Sequence, residues 1–176
     1  MLRHCCTFLL ISCFLVFFAD AASIEEVNRF DKIIEVGDVL KCSASFNLKN
    51  NDKVYKIDSW AIMKVLSSEE NKKRYRTTQY FRLQGTQVPY IRYESIVVVT
   101  RESRGGREEI EPDSVQVFYP AAPEQEAALV KEVRNMAPFY YSFENITFTH
   151  FPDYTGKVKY PAVEEEVTLY CHLLGK

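Results

Sequence analysis

Cysteine is the residue whose placement in this chain has the clearest chemical consequence. Five occur: Cys5, Cys6, Cys13, Cys42 and Cys171. The first three stand in an N-terminal stretch with a basic start, Met1-Leu2-Arg3-His4, and an apolar run from Thr7 to Phe18. It ends in Ala19-Asp20-Ala21, the small-residue pattern at which a secretory signal is cleaved. The expected organisation is therefore a signal peptide over residues 1–21 and one extracellular domain over residues 22–176. A signal anchor that stays attached is the alternative. Secretion exposes thiols to an oxidising compartment, so Cys42 and Cys171 are expected to form one long-range disulfide. Two free thiols or an intermolecular bridge are the other readings. In the chain-entropy model, closing a loop of this length contributes about 5 kcal/mol. A whole domain has roughly 5–15 kcal/mol of net stability.

Catalytic chemistry finds little support. The only histidines after the signal are His150 and His172, and each is more simply a structural or rim residue. HExxH, GxSxG, P-loop and GxGxxG motifs are lacking, and no cofactor is implied. Zinc needs more ligands than two distant histidines supply. The carboxylates Glu108-Glu109, Glu111 and Glu164-Glu165-Glu166 read as solvated faces, without calcium-loop spacing. Two carboxylates converging from distant strands in a secreted hydrolase leave no local trace and stay as a minor alternative.

Binding chemistry is better represented. Lys72, Lys73, Arg74 and Arg76, with Tyr75, Tyr80, Phe81 and Arg82, make a basic stretch interleaved with aromatics. Alternation puts most of the charges on one strand face and most of the rings on the other. The bland reading is an outward charged face; the functional one is a surface for an acidic extracellular partner. A formal charge of −2 argues against nucleic acid. No apolar run after the signal is long enough for a membrane span. Asn145-Ile146-Thr147 is an N-glycosylation sequon. If Asn145 faces out along an unbroken strand, Phe139, Tyr141 and Phe143 face out with it, beside Tyr140 on the other face. Tyr140, Tyr141 and Phe143 are thus a candidate partner surface. A β-bulge would instead return the rings to the core.

The elements that position these residues follow from periodicity. Ser23-Ile24-Glu25-Glu26 has the form of a capping box, and Ile24, Val27, Phe30 and Ile34 recur at helical spacing. A short helix is expected to end before Gly37. Alternation then marks strands over Leu40 to Lys49, Tyr55 to Val65 and Arg74 to Leu83, followed by a β-branched run from Val88 to Thr100. Gly105-Gly106 reads as the tip of a hairpin closed by Val115, Val117 and Tyr119. A second helix is expected over Glu124 to Met136, then strands over Phe139 to His150 and Val163 to Leu174. Pro152, Gly156 and Pro161 mark the link between those strands. About seven strands joined by short turns make an all-β, mainly antiparallel meander, closed as a barrel or folded as a sandwich.

A secretory signal, an N-terminal helix, an antiparallel meander, a late helix and a disulfide from an early strand to the last one resemble the lipocalins. The divergent salivary lipocalins of blood-feeding arthropods are most similar in outline. The resemblance is architectural: the only tryptophan stands in Asp58-Ser59-Trp60, without the family's Gly-x-Trp. It implies a barrel holding a small apolar or amphipathic ligand. Inward Tyr55, Ile57, Tyr75, Phe81, Tyr93 and Val97 are expected to line it, with Trp60 near its mouth. The rival is a β-sandwich module that binds an extracellular protein.

Overall fold

The computed structural model describes residues 21–50, 53–86, 91–135, 137–158 and 165–175. Most of the expected signal segment and Glu164 lie outside them. Helix α1 (Ile24–Ile33) opens with the expected capping box: the Glu26 N–H donates to Ser23 Oγ at 3.2 Å, and the Ser23 N–H donates to Glu26 Oε2 at 2.9 Å. The helix leads into β1 (Val39–Asn50), β2 (Lys53–Glu69), β3 (Lys72–Leu83) and β4 (Ile91–Glu102), each antiparallel to the one before. These long strands carry the alternation read from the sequence, and β2 and β3 meet closer to their ends than expected.

The next strands depart from expectation. Gly105 and Gly106 are not the hairpin tip; they begin β5 (Gly105–Ile110), and the turn falls on Ser103 and Arg104. Past a short 3-10 turn, β6 (Gln116–Phe118) takes over pairing with β4 at Arg92 to Glu94. Helix α2 (Glu126–Asn135) follows and packs Leu129, Val130 and Val133 against Val115, Val117, Tyr93 and Ile110.

The stretch expected as one strand from Phe139 to His150 is two. β7 (Phe139–Ser142) pairs with β5, and a 3-10 turn at Phe143–Asn145 breaks it from β8 (Ile146–His150). The expected link then forms another strand, β9 (Asp153–Val158), lying between β8 and β10 (Val167–Leu174). The sheet order is β7-β5-β4-β3-β2-β1-β10-β9-β8, with β6 beside β4. Its two edge strands are consecutive in the chain, so the turn at Phe143–Asn145 ties the edges together. The result is a nearly closed antiparallel barrel, which relieves most of the edge problem of an open sheet.

Cys42 and Cys171 sit directly opposite each other on β1 and β10 and form the expected disulfide. Both point inward, beside Ala61, Met63, Tyr154 and Leu169. Helix α1 covers one end of the barrel: Phe30, Ile33 and Ile34 pack with Leu40, Val65, Tyr75 and Leu173. Asp31 fixes it there, receiving Lys73 Nζ at 3.2 Å and Arg101 Nη1 at 3.3 Å. Arg101 also donates to Asn28 Oδ1.

Candidate ligand cavity

Alternation on six strands decides what faces the inside. On β5, Arg107 and Glu109 pair with each other at 3.2 Å. Glu108, between them, is directed to the opposite face, with Gly106 and Ile110. On β3 and β4 the directly paired Thr77 and Ser95 face inward, as do Tyr75, Tyr93 and Val97. β7 contributes Tyr141, β9 Tyr154 and β10 Leu169. Gly106 makes room for the Tyr141 ring, because a Cβ there would overlap it.

These side chains enclose two adjoining hollows. The larger, about 380 Å³, is lined by Thr77, Tyr93, Ser95, Val97 and Ile110 among others. The smaller, about 170 Å³, lies under α1 against Val27, Phe30, Ile34 and Tyr75. Met63, Glu108, Tyr141, Tyr154 and Leu169 border both. The larger falls within the size range of small-molecule sites, with apolar walls and a few converging polar groups.

Those polar groups lack partners. Thr77 and Ser95 are 6% and 2% exposed, and the hydroxyl of each has no hydrogen-bond partner among the described residues. A buried hydroxyl left so costs roughly 1–3 kcal/mol unless water or a ligand meets it. No cation among the described residues pairs with Glu108, and burial holds its carboxyl above the usual carboxylate range. The surface that Glu108 retains lines both hollows. Burial, reinforced by neighbouring acidic groups including Glu108, likewise pushes the Tyr75, Tyr141 and Tyr154 hydroxyls far above the ordinary phenol range. All three therefore remain protonated donors at any physiological pH.

Of the residues expected to line a cavity, Tyr75, Tyr93 and Val97 do so. Ile57 and Phe81 share the inward face but stand nearer the other end, Phe81 with its ring 6.0 Å from that of Tyr93. Tyr55 is half-buried and borders neither hollow. Trp60 requires a correction: it occupies the outer face of β2, stacked on Tyr80 at 5.0 Å, because it is out of phase with Ile57, Ser59 and Ala61.

The candidate partner surface also changes. Tyr140 is outward and 68% exposed, but Tyr141 and Phe143 turn inward, Phe143 to 7%. The 3-10 turn breaks the alternation, so an exposed Asn145 no longer implies outward rings. In the basic stretch Lys72 and Arg76 are exposed and Arg74 grips Glu111 in two hydrogen bonds at 2.6 and 2.8 Å. Lys73 is 6% exposed, because β3 begins early enough to put it in phase with inward Tyr75.

Sequence reasoning missed Glu108, Thr77, Ser95, Tyr141 as a wall residue, and Tyr154. In the sequence Glu108 reads as part of a solvated acidic run, although Glu108 and Ile110 alternate with Arg107 and Glu109. Thr77 and Ser95 carry no signal beyond their phase on strands already recognised. His172 is solvent-facing, its Nδ1 2.9 Å from Asp153 Oδ2. No three histidine, cysteine or acidic side chains gather into a metal-holding group among the described residues. Comparison of the chain with protein-family models, with curated proteins and with solved structures finds no match in any of the three.

Proposed function

We propose that the protein is a secreted, non-enzymatic, lipocalin-like carrier that sequesters one small amphipathic molecule inside its barrel. The observation that carries this reading is the hollow bordered by Glu108, an enclosed carboxyl without a cation, and lined by Thr77 and Ser95, whose buried hydroxyls lack partners among the described residues. An enclosed carboxylate is stabilised by a positive charge brought to it. The ligand is therefore a small organic cation: a protonated amine meets Glu108, and an apolar or aromatic body lies against Met63, Val97, Ile110 and Leu169. The signal pattern at residues 1–21 and the exposed sequon at Asn145 support secretion and glycosylation. The rival protein-binding reading loses two of its three rings, since Tyr141 and Phe143 serve the interior.

An isosteric series tests the charge and the cavity together. Phenethylamine, phenethyl alcohol and phenylacetate share one ring and one chain length and differ in head-group charge. Calorimetric titration is expected to show saturable one-to-one binding of the amine, weaker binding of the alcohol and none of the acid. Equal heats for all three, or none for any, contradicts the proposal.

A further inference from the structure

The barrel's outer face carries a second constellation, which meets the larger hollow at Ser43 and Glu166. Register places Tyr170 of β10, Ser43 of β1, Trp60 of β2 and Tyr80 of β3 on one rung across four neighbouring strands. Trp60 and Tyr80 are stacked with their planes 9° apart. The guanidinium of Arg82 lies 5.4 Å from the Trp60 ring. Tyr170 is 53% exposed. Strands lie about 4.8 Å apart, so Tyr170 and Trp60 stand roughly 10 Å apart with the small Ser43 between them. Two aromatic walls over a serine floor leave a slot open to solvent.

The slot continues into a groove of about 850 Å³ where β1 and β10 part company, which the inward residues Ala44, Phe46, Ile57 and Val167 line as well. Pairing of these strands stops at Ser43 and Tyr170. The polar groups around the groove are held in place. Asp58 receives Arg82 Nη2 at 3.2 Å and Ser45 Oγ at 2.8 Å. Arg82 Nε is enclosed without a partner among the described residues. Charges in the lining balance: Lys41, Lys56 and Arg82 against Asp58, Glu165 and Glu166. A strongly anionic or cationic occupant meets as much repulsion as attraction there. An uncharged molecule rich in hydroxyls, with a flat C–H face for the rings, does not.

We propose that this outer face is a second binding site, distinct from the Glu108 cavity, which docks an uncharged oligosaccharide borne by another molecule. One pyranose ring lies with its C–H face on Tyr170 or Trp60. Its hydroxyls meet the Asp58–Arg82 pair and Ser45.

Trp60 is the chain's single tryptophan, so intrinsic fluorescence reports on this face directly. The test uses protein made without glycans, so that its own sequon supplies no sugar. Chitotriose, mannotriose and cellopentaose are titrated as neutral probes, with heparin and hexalysine as charged ones. Expected is a saturable change in Trp60 emission with at least one neutral oligosaccharide. Tyr170→Ala is expected to weaken it about tenfold by loss of one stacking wall. Tyr170→Phe and Glu108→Gln are expected to leave it intact. Tyr170 is exposed, so an unchanged melting temperature for both Tyr170 variants separates lost binding from lost folding. No response to any neutral probe up to its solubility overturns the proposal. So does a response that survives Tyr170→Ala, or a stronger response to either charged probe. A negative result here leaves the amine titration unaffected, and the reverse also holds.

Discussion

A carboxyl placed among Tyr75, Tyr141, Tyr154 and Met63 without a cation works against the folded state whenever it is ionised. Its pKa is raised in the fold by burial. The folded protein therefore binds a proton that the unfolded chain has already released, across the window between the unfolded and folded pKa values. Stability from this group is lost as pH rises through that window. Below the unfolded carboxylate pKa both states are protonated and the effect is gone. Glu108→Gln is accordingly expected to raise the melting temperature of the ligand-free protein at neutral pH, with the gain shrinking towards zero at about pH 3–4. A melting series against pH checks this; a variant less stable than the parent at neutral pH refutes the reading of Glu108 as an enclosed, unpaired acid. At this scale alternation placed Tyr75, Tyr93 and Val97 correctly, since each sits mid-strand in an unbroken pattern. It misses Glu108 because adjacent glycines read as a turn, and that reading removes the strand on which the phase of Glu108 depends.

Between elements, the decisive contact is β5 with β7. Gly105 pairs with Ser142 and Gly106 with Tyr141, so the two glycines serve close approach rather than reversal. A Cβ on Gly105 would overlap the Tyr141 carbonyl, whereas one on Gly106 would overlap the Tyr141 ring. A ring turns aside more easily than a backbone. Gly105→Ala is therefore expected to lower the urea midpoint more than Gly106→Ala, each within about 1–3 kcal/mol of overpacking strain. The reverse order shows that β7 does not lie on β5 as described. Helix α1 was legible to within a residue or two, because its capping box and apolar stripe are local. The break at Phe143–Asn145 was not. A run of aromatics on both faces looks continuous, and only tertiary pairing shows that Phe139–Ser142 and Ile146–His150 belong to opposite edges of the sheet.

At the scale of the whole molecule, the disulfide and the break act together. The bridge fixes β1 against β10, and the turn at Phe143–Asn145 joins β7 to β8, so the sheet curls round an interior rather than folding onto itself. The cysteine pairing was readable because both residues lie on apolar strand faces in a chain with a signal pattern. The choice of barrel over sandwich was not, because it depends on where the last strands pair. An interior of this kind, with Glu108 on its wall, is the basis of the proposed function. The measurement that tests it most directly is a calorimetric comparison of phenethylamine binding to the parent protein and to Glu108→Gln, run in buffers of different ionisation enthalpy. The account predicts saturable binding to the parent, with proton release that grows as pH falls towards the raised pKa of Glu108. It predicts affinity about ten- to a hundredfold lower in the variant, the value of one charge-assisted hydrogen bond, with no proton release. Equal affinity in the two proteins, or no binding to the parent, contradicts it.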